Sequence, residues 1–243
     1  MTAPAVLPSS PASGAAVPPL RHGDRLRWDE YIRRYEAMPE DVRAELLAGE
    51  VQIMSPLRHR PHGQPHRIIE TWLGMYQART PGVDGGTAST VRLTDVDGPE
   101  PDSILRLLPE CGGASTETSD DYLAGTPELF VEIGAATASR DLNEKRERYR
   151  LAGVREYLVF APLREQLHWL VLNEAGEYER LRPRRGGVIR SRTFPGLWLN
   201  VPALTALDFA AVLDTLAEGM GTAEHAAFAA SNRGKLDAGG DPG

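Results

Sequence analysis

Two short runs of almost unbroken apolar residues, Leu129-Phe130-Val131-Glu132-Ile133 and Glu156-Tyr157-Leu158-Val159-Phe160, mark the middle of the chain. The first is bounded by Pro127 and Gly134, and neither alternates, which is the pattern of strands covered on both faces. Between them, Leu142, Lys145, Tyr149 and Ala152 recur at helical spacing and share one face of a helix, with start signals at Ser139 and Asp141. Strand, helix and strand in this order predict a right-handed crossover between parallel neighbours.

The same reading extends in both directions. Residues 28–37 predict a short helix with Trp28, Ile32 and Tyr35 on one side. Residues 44–47 and 50–54 predict two strands around the tight turn Ala48-Gly49, with a helix over 40–48 as the alternative. A helix is expected from near Pro65, a tolerated first-turn position, to Arg79, with Ile68, Ile69, Trp72, Leu73 and Tyr76 as its apolar stripe. Strands follow over 87–93 and 103–108, joined by the turn Asp95-Val96-Asp97-Gly98, which reads as solvated because the spacing of a calcium loop is missing. Residues 110–120 read as a flexible loop. Residues 166–172 and 178–181 predict a hairpin, 190–199 and 201–204 the last sheet edge, and 208–217 a helix. The Pro-, Ala- and Ser-rich residues 1–24 are expected to be disordered, 25–218 to form one domain, and 219–243 to be a mostly flexible tail.

Three polar residues disturb this pattern. Glu132 interrupts a run that should be buried, and a buried carboxylate must be ion-paired, hydrogen-bonded, protonated or metal-bound. Asp102 opens its strand directly after Pro101, a residue suited to a strand's first position. Lys145 lies on the inward helical stripe and is one of only two lysines, the other being Lys235, among 27 Lys plus Arg. A lysine retained there points to a task that arginine does not perform, such as losing a proton or placing a compact ammonium beside a phosphate. The plain alternative is a lysine that snorkels past the core edge.

Composition narrows the class. At 243 residues, with 41% hydrophobic and 25% charged residues, the chain is expected to build one good core. No run is long and apolar enough for a transmembrane helix, and the first residues lack the basic start and apolar core of a signal peptide, so no membrane partner is expected. A single cysteine, Cys111, excludes an internal disulfide and fits a cytoplasmic setting. The net charge of −7 argues against coating nucleic acid by bulk attraction, although arginines concentrate in residues 140–155 and 180–192. His62 and His66 have zinc-ligand spacing, but Pro65 between them spoils a shared helical face.

Two carboxylates presented from adjacent strands can hold Mg²⁺, with water and substrate oxygens completing its octahedron, and a nearby lysine can orient the attacking water. Phosphodiester hydrolysis suits that trio, with the arginines holding the backbone. The ordered set of "AELLAGEVQIMSP", His66 at the next helix, "EPDSIL", "ELFVEI" and "RDLNEKRERYRLAGVREYLV" resembles the Uma2 family of endonucleases over about residues 35–205. The resemblance implies an α/β fold with a restriction-endonuclease-like (PD-(D/E)xK) mixed sheet flanked by helices and carrying β-hairpin additions. It implies metal ligation by Asp102 and Glu132, with Mg²⁺ or alternatively Mn²⁺ as cofactor. It further implies a catalytic role for Lys145, an accessory acidic role for Glu45 or Glu50, DNA as substrate and a homodimer as one assembly. Gly134 stands where the general signature has lysine, so the motif is completed only if Lys145 fills that place from the helix. A binding module on the same fold, without catalysis, is the alternative reading.

Overall fold

In the computed structural model, the described residues are 16–134 and 138–239. The expectation of disorder over 1–24 therefore lies mostly outside them, and within the described part Leu20 is already buried. The elements in chain order are α1 (Trp28–Tyr35), β1 (Ala44–Leu47), β2 (Glu50–Ile53), α2 (Gln64–Gln77), β3 (Val83–Thr87), β4 (Val91–Arg92), β5 (Ser103–Leu107), β6 (Ala114–Glu117), β7 (Leu123–Thr126) and β8 (Leu129–Ile133). They continue with α3 (Ala138–Arg140), α4 (Arg146–Ala152), β9 (Glu156–Ala161), β10 (Gln166–Leu172), β11 (Tyr178–Arg180), β12 (Val188–Arg190), β13 (Trp198–Asn200), α5 (Val201–Thr205), α6 (Phe209–Met220) and α7 (Ala223–Gly239).

A six-stranded sheet in the order β11-β10-β9-β8-β5-β3 carries the structure. β8 and β9 are parallel, as the strand-helix-strand pattern predicts, and the other neighbours are antiparallel. β5, β8 and β9 are buried along their whole length because helices cover both faces of the sheet. On one face Leu105, Val131, Leu158 and Trp169 pack against Trp72 of α2 and Leu216 of α6. On the other, Ile104, Phe130, Tyr157 and Val159 pack against Tyr149 of α4. The two tryptophans Trp72 and Trp169 meet edge to face at 5.8 Å, a favoured aromatic geometry.

Several expectations are corrected. The strand expected over 87–93 is two strands, because Ala88 turns the backbone to φ 47° between β3 and β4. Residues 110–120 are not a plain loop: β6 pairs with β7, which pairs with β4 to close a three-stranded sheet. Residues 188–200 form the separate hairpin β12–β13 rather than an edge of the main sheet, and 201–205 are helical, with Asn200 capping α5 through a 3.0 Å bond from Ala203 N–H. Residues 223–239, expected to be a flexible tail, form α7. Phe228 and Leu236 pack it against the core, and polar contacts add to this: Asn232 donates to the Pro81 carbonyl at 2.9 Å, and His225 lies 3.0 Å from Thr80 Oγ1. Two apolar side chains eight residues apart are too few to leave a clear apolar period.

The hairpin β1–β2 packs on α1, with Leu46 and Val51 buried against Trp28 and Tyr31. Its two-residue turn has positive φ at both Ala48 (50°) and Gly49 (76°), the geometry that matches strand twist in tight hairpins. Asp97 then ties the hairpin to the helix opposite. It accepts bonds from Ala48 N–H at 2.9 Å and from Arg148 Nε on α4 at 2.7 Å.

Candidate active site

The site begins at the centre of the sheet. Ser103 pairs with Val131, so Asp102 and Glu132 stand across from each other one position further along the ladder, on the face covered by α4. Asp102 is fixed from two sides: Oδ2 accepts the Ile133 N–H at 2.7 Å, and Oδ1 lies 3.0 Å from His62 Nε2. Glu132 Oε1 accepts two bonds, each of 2.9 Å, from Lys145 Nζ and Tyr149 Oη.

The segment carrying Lys145 is not a regular α-helix. Between α3 and α4, residues Asp141–Lys145 make a π-helical turn, and both of its end side chains are buried. Widened turns of this kind occur often at functional sites, and here one brings Asp141 inward beside Lys145. Tyr157 Oη donates to the Asp141 carbonyl at 3.1 Å, so β9 supports the turn from below.

Lys145 Nζ also lies 2.9 Å from Glu45 Oε2, and Arg140 contacts the other Glu45 oxygen. The choice between Glu45 and Glu50 is thus decided by position along the hairpin. Glu45 pairs with Gln52 and Leu47 with Glu50, so all four side chains share a face; Glu50 sits at the turn end, where it pairs with exposed Arg25. The geometry brings Glu45, Asp102, Glu132 and Lys145 together and leaves Glu50 outside.

Charge in this cluster is unbalanced. Burial pushes the Glu132 carboxyl up to about 8; the Lys145 ammonium opposes this, while Asp141 and Asp102 add to it. For Asp102, burial alone would raise the value, but the bond and charge of His62, the Ile133 N–H and the charge of His66 together hold it below the ordinary range. One acid is thus poised to carry a proton and its neighbour to remain charged, a separation typical of sites where carboxylates share a task.

The comparisons with known proteins agree with this arrangement at the level of family and fold. A family model described as "Uma2: Putative restriction endonuclease" matches residues 28–202. The chain belongs to the Uma2 family. A crystal structure of a "putative nuclease belonging to DUF820" from Anabaena variabilis ATCC 29413 resembles it with a TM-score of 0.57 at 11% identity, over 72% of this chain and 97% of that one. At that identity the likeness shows the fold, a mixed sheet flanked by helices. No curated protein matches the sequence.

Within this Uma2 protein, the sequence reading missed three supporting groups. His62, dismissed as a zinc ligand, is buried against Asp102; His66 contacts the Asp102 carbonyl at 3.0 Å and Glu70 at 3.3 Å. Asp97, expected in a solvated turn, is buried and joins the Glu45 hairpin to the Lys145 helix through Ala48 and Arg148. Their only sequence signal was polar residues beside apolar runs. In the other direction, Glu156 belongs to the most family-specific segment yet lies on the opposite face. It accepts bonds from Trp169 Nε1 (2.7 Å), Ser191 Oγ (2.9 Å) and the N–H groups of Arg192 (2.8 Å) and Thr193 (2.7 Å), anchoring the chain after β11.

The donor chemistry suits a hard divalent cation. Four acidic side chains, Glu45, Asp102, Glu132 and Asp141, are buried around Lys145, and the partly exposed Arg140 joins only at the rim. Among the described residues no group of three or more His, Cys, Asp or Glu side chains is placed to hold a metal ion. Residues 135–137, which follow Gly134, lie outside the described residues.

Proposed function

We propose that this Uma2 protein is a Mg²⁺-dependent endonuclease, with Mn²⁺ as an alternative ion, that hydrolyses phosphodiester bonds of DNA. The observation that carries the reading is the position of Lys145: from the helix after β8 its ammonium reaches both Glu132 and Glu45, supplying the cation that Gly134 cannot.

In this reading Asp102 and Glu132 hold the ion. Bound there, it supplies a Lewis acid for a phosphoryl oxygen and lowers the pKa of coordinated water. Asp102 is oriented for that work by His62 and the Ile133 N–H, which occupy fixed sides of its carboxylate. Tyr149 and Lys145 likewise fix the rotamer of Glu132 through its Oε1. With Asp102 and Glu132 holding the ion, the Lys145 ammonium would position the attacking water and stabilise charge growing on the phosphoryl oxygens. Glu45 keeps the ammonium in place from the hairpin side, and Arg140 offers a second cation at the rim of the cluster.

The test is nicking of supercoiled plasmid and of single-stranded DNA with Mg²⁺ or Mn²⁺, comparing wild type with Asp102→Asn, Glu132→Gln and Lys145→Ala. Cleavage that needs the ion and falls at least a hundredfold in each variant is expected. Ion-dependent cleavage unchanged in all three would reject the site, and no cleavage by the wild type on either DNA would favour a binding module on the same fold.

A further inference from the structure

The face of the sheet that carries Glu132 continues past it. Glu132 pairs with Val159, and Val159 with His168 on β10, so the three side chains lie in one row across three strands and point to the same side. On the next strand, Arg180 pairs with Leu170, which also belongs to that face. The Arg180 guanidinium donates to the Leu167 carbonyl at 2.7 Å, which fixes it beside His168. From above, Arg146 opens α4 immediately after Lys145 and is exposed.

These side chains form a strip that no carboxylate among the described residues neutralises. The adjacent acids Glu147 and Glu177 are taken up by Arg150, and among the described residues no carboxylate lies within ion-pair distance of Arg146 or Arg180. Arg148 and Arg140, from the same arginine-rich segment, are by contrast committed to Asp97 and Glu45. His168 Nε2 is buried without a hydrogen-bond partner. Burial first, and then the charges of Arg180 and Arg146, push its imidazole below the ordinary value, as two guanidinium groups close to one ring require. Exposed, unpaired guanidinium groups in line with a phosphodiesterase-type carboxylate site are suited to successive phosphates of one strand, which are contacted through charge rather than base identity.

We propose that Arg146, His168 and Arg180 form a track for the DNA backbone along the surface beside α4, next to the buried Glu132–Val159 part of the row. The assignment rests on the nuclease reading and adds the surface along which the substrate runs beside the site. His168, between the two arginines, donates to a phosphate oxygen or exchanges a hydrogen bond with a bridging water.

The experiment measures binding of a fluorescein-labelled duplex in Mg²⁺ by anisotropy, in the Glu132→Gln background so that the probe stays intact, and KM and kcat in the otherwise wild-type background. Arg146→Ala/Arg180→Ala should raise Kd about tenfold and lower the slope of log K against log salt by roughly 2, close to the 0.9 expected per phosphate contact. KM should rise with it while kcat stays within about threefold. His168→Ala alone should raise Kd about threefold. The control, Arg79→Ala/Arg233→Ala, removes the same charge from exposed positions beyond the far end of α2 and on α7, and should change Kd less than twofold. Equal weakening by both pairs would reduce the effect to net charge and overturn the track, as would an unchanged Kd in the strip variant. If the wild type cuts DNA and the strip variant is unaffected, the track alone falls; if neither binds nor cuts, the nuclease reading falls with it.

Discussion

Lys145 Nζ lies 2.9 Å from Glu132 Oε1, although Glu132 belongs to β8 and Lys145 ends the π-helical turn that leads into α4. The contact closes a motif that is open in the linear sequence. Because the ammonium also reaches Glu45, removing it leaves Glu132 with only Tyr149 and Glu45 with only Arg140, and breaking buried pairs typically costs about 3–5 kcal/mol. Lys145→Met should therefore lower stability by about 3 kcal/mol in chelator, read from urea denaturation, and added Mg²⁺ should restore part of the loss. Lys145→Arg should fold better than Lys145→Met yet remain at least tenfold impaired in cleavage, because a planar guanidinium does not reproduce a compact ammonium between two carboxylates.

Stability without metal should depend on pH through Glu132. Its folded value of about 8 lies above the ordinary 4.5, so over that window the native state holds more protons than the unfolded state. The stabilisation is complete below about 4.5 and is lost as pH rises through about 8, to a limit of about 5 kcal/mol. Melting in EDTA should show the transition temperature falling from pH 5 to pH 8 in the wild type and a flatter profile in Glu132→Gln. A wild-type profile that rises over this range would contradict the assignment.

Asp97 acts on the site only through the elements it joins. Asp97→Ala removes the partner of Arg148 and of the Ala48 N–H together, and should cost about 2–4 kcal/mol by thermal melting. With the Glu45 hairpin loosened from α4, kcat should fall several-fold while KM for DNA stays within about twofold.

Glu156 separates structural from catalytic meaning within one motif. Glu156→Ala leaves the Trp169 indole N–H and the Arg192 and Thr193 N–H groups without their acceptor, a loss of about 3 kcal/mol in denaturant unfolding. Activity per folded molecule, scored at low temperature, should stay within about twofold of wild type, since the carboxylate lies on the face opposite Glu132.

His62 should matter through Asp102. His62→Ala frees Asp102 Oδ1, and the expected result is a several-fold higher half-maximal Mg²⁺ concentration for cleavage, with His62→Asn recovering part of it. Equal half-maximal Mg²⁺ in wild type and both variants would remove His62 from the positioning of Asp102.

The sequence alone determined the central strands, the helix between them and the inward stripe of Lys145 and Tyr149. Each is encoded by a local apolar period that burial on a sheet or helix face enforces. It also brought Asp102 and Glu132 forward, because a carboxylate inside an apolar run conflicts with its surroundings and must be answered by the fold. Only the tertiary structure decided which partners answer. The choice of Glu45 over Glu50 depended on hairpin register and on how far the turn lies from α4. The buried roles of Asp97, His62 and His66 depended on contacts between segments far apart in sequence. The docking of α7 combines two apolar contacts, Phe228 and Leu236, with hydrogen bonds at Asn232 and His225, too sparse a set to show as a period. The row from Glu132 through Val159 to His168 exists only once three strands are in register, since a cross-strand neighbour is set by pairing and not by spacing along the chain.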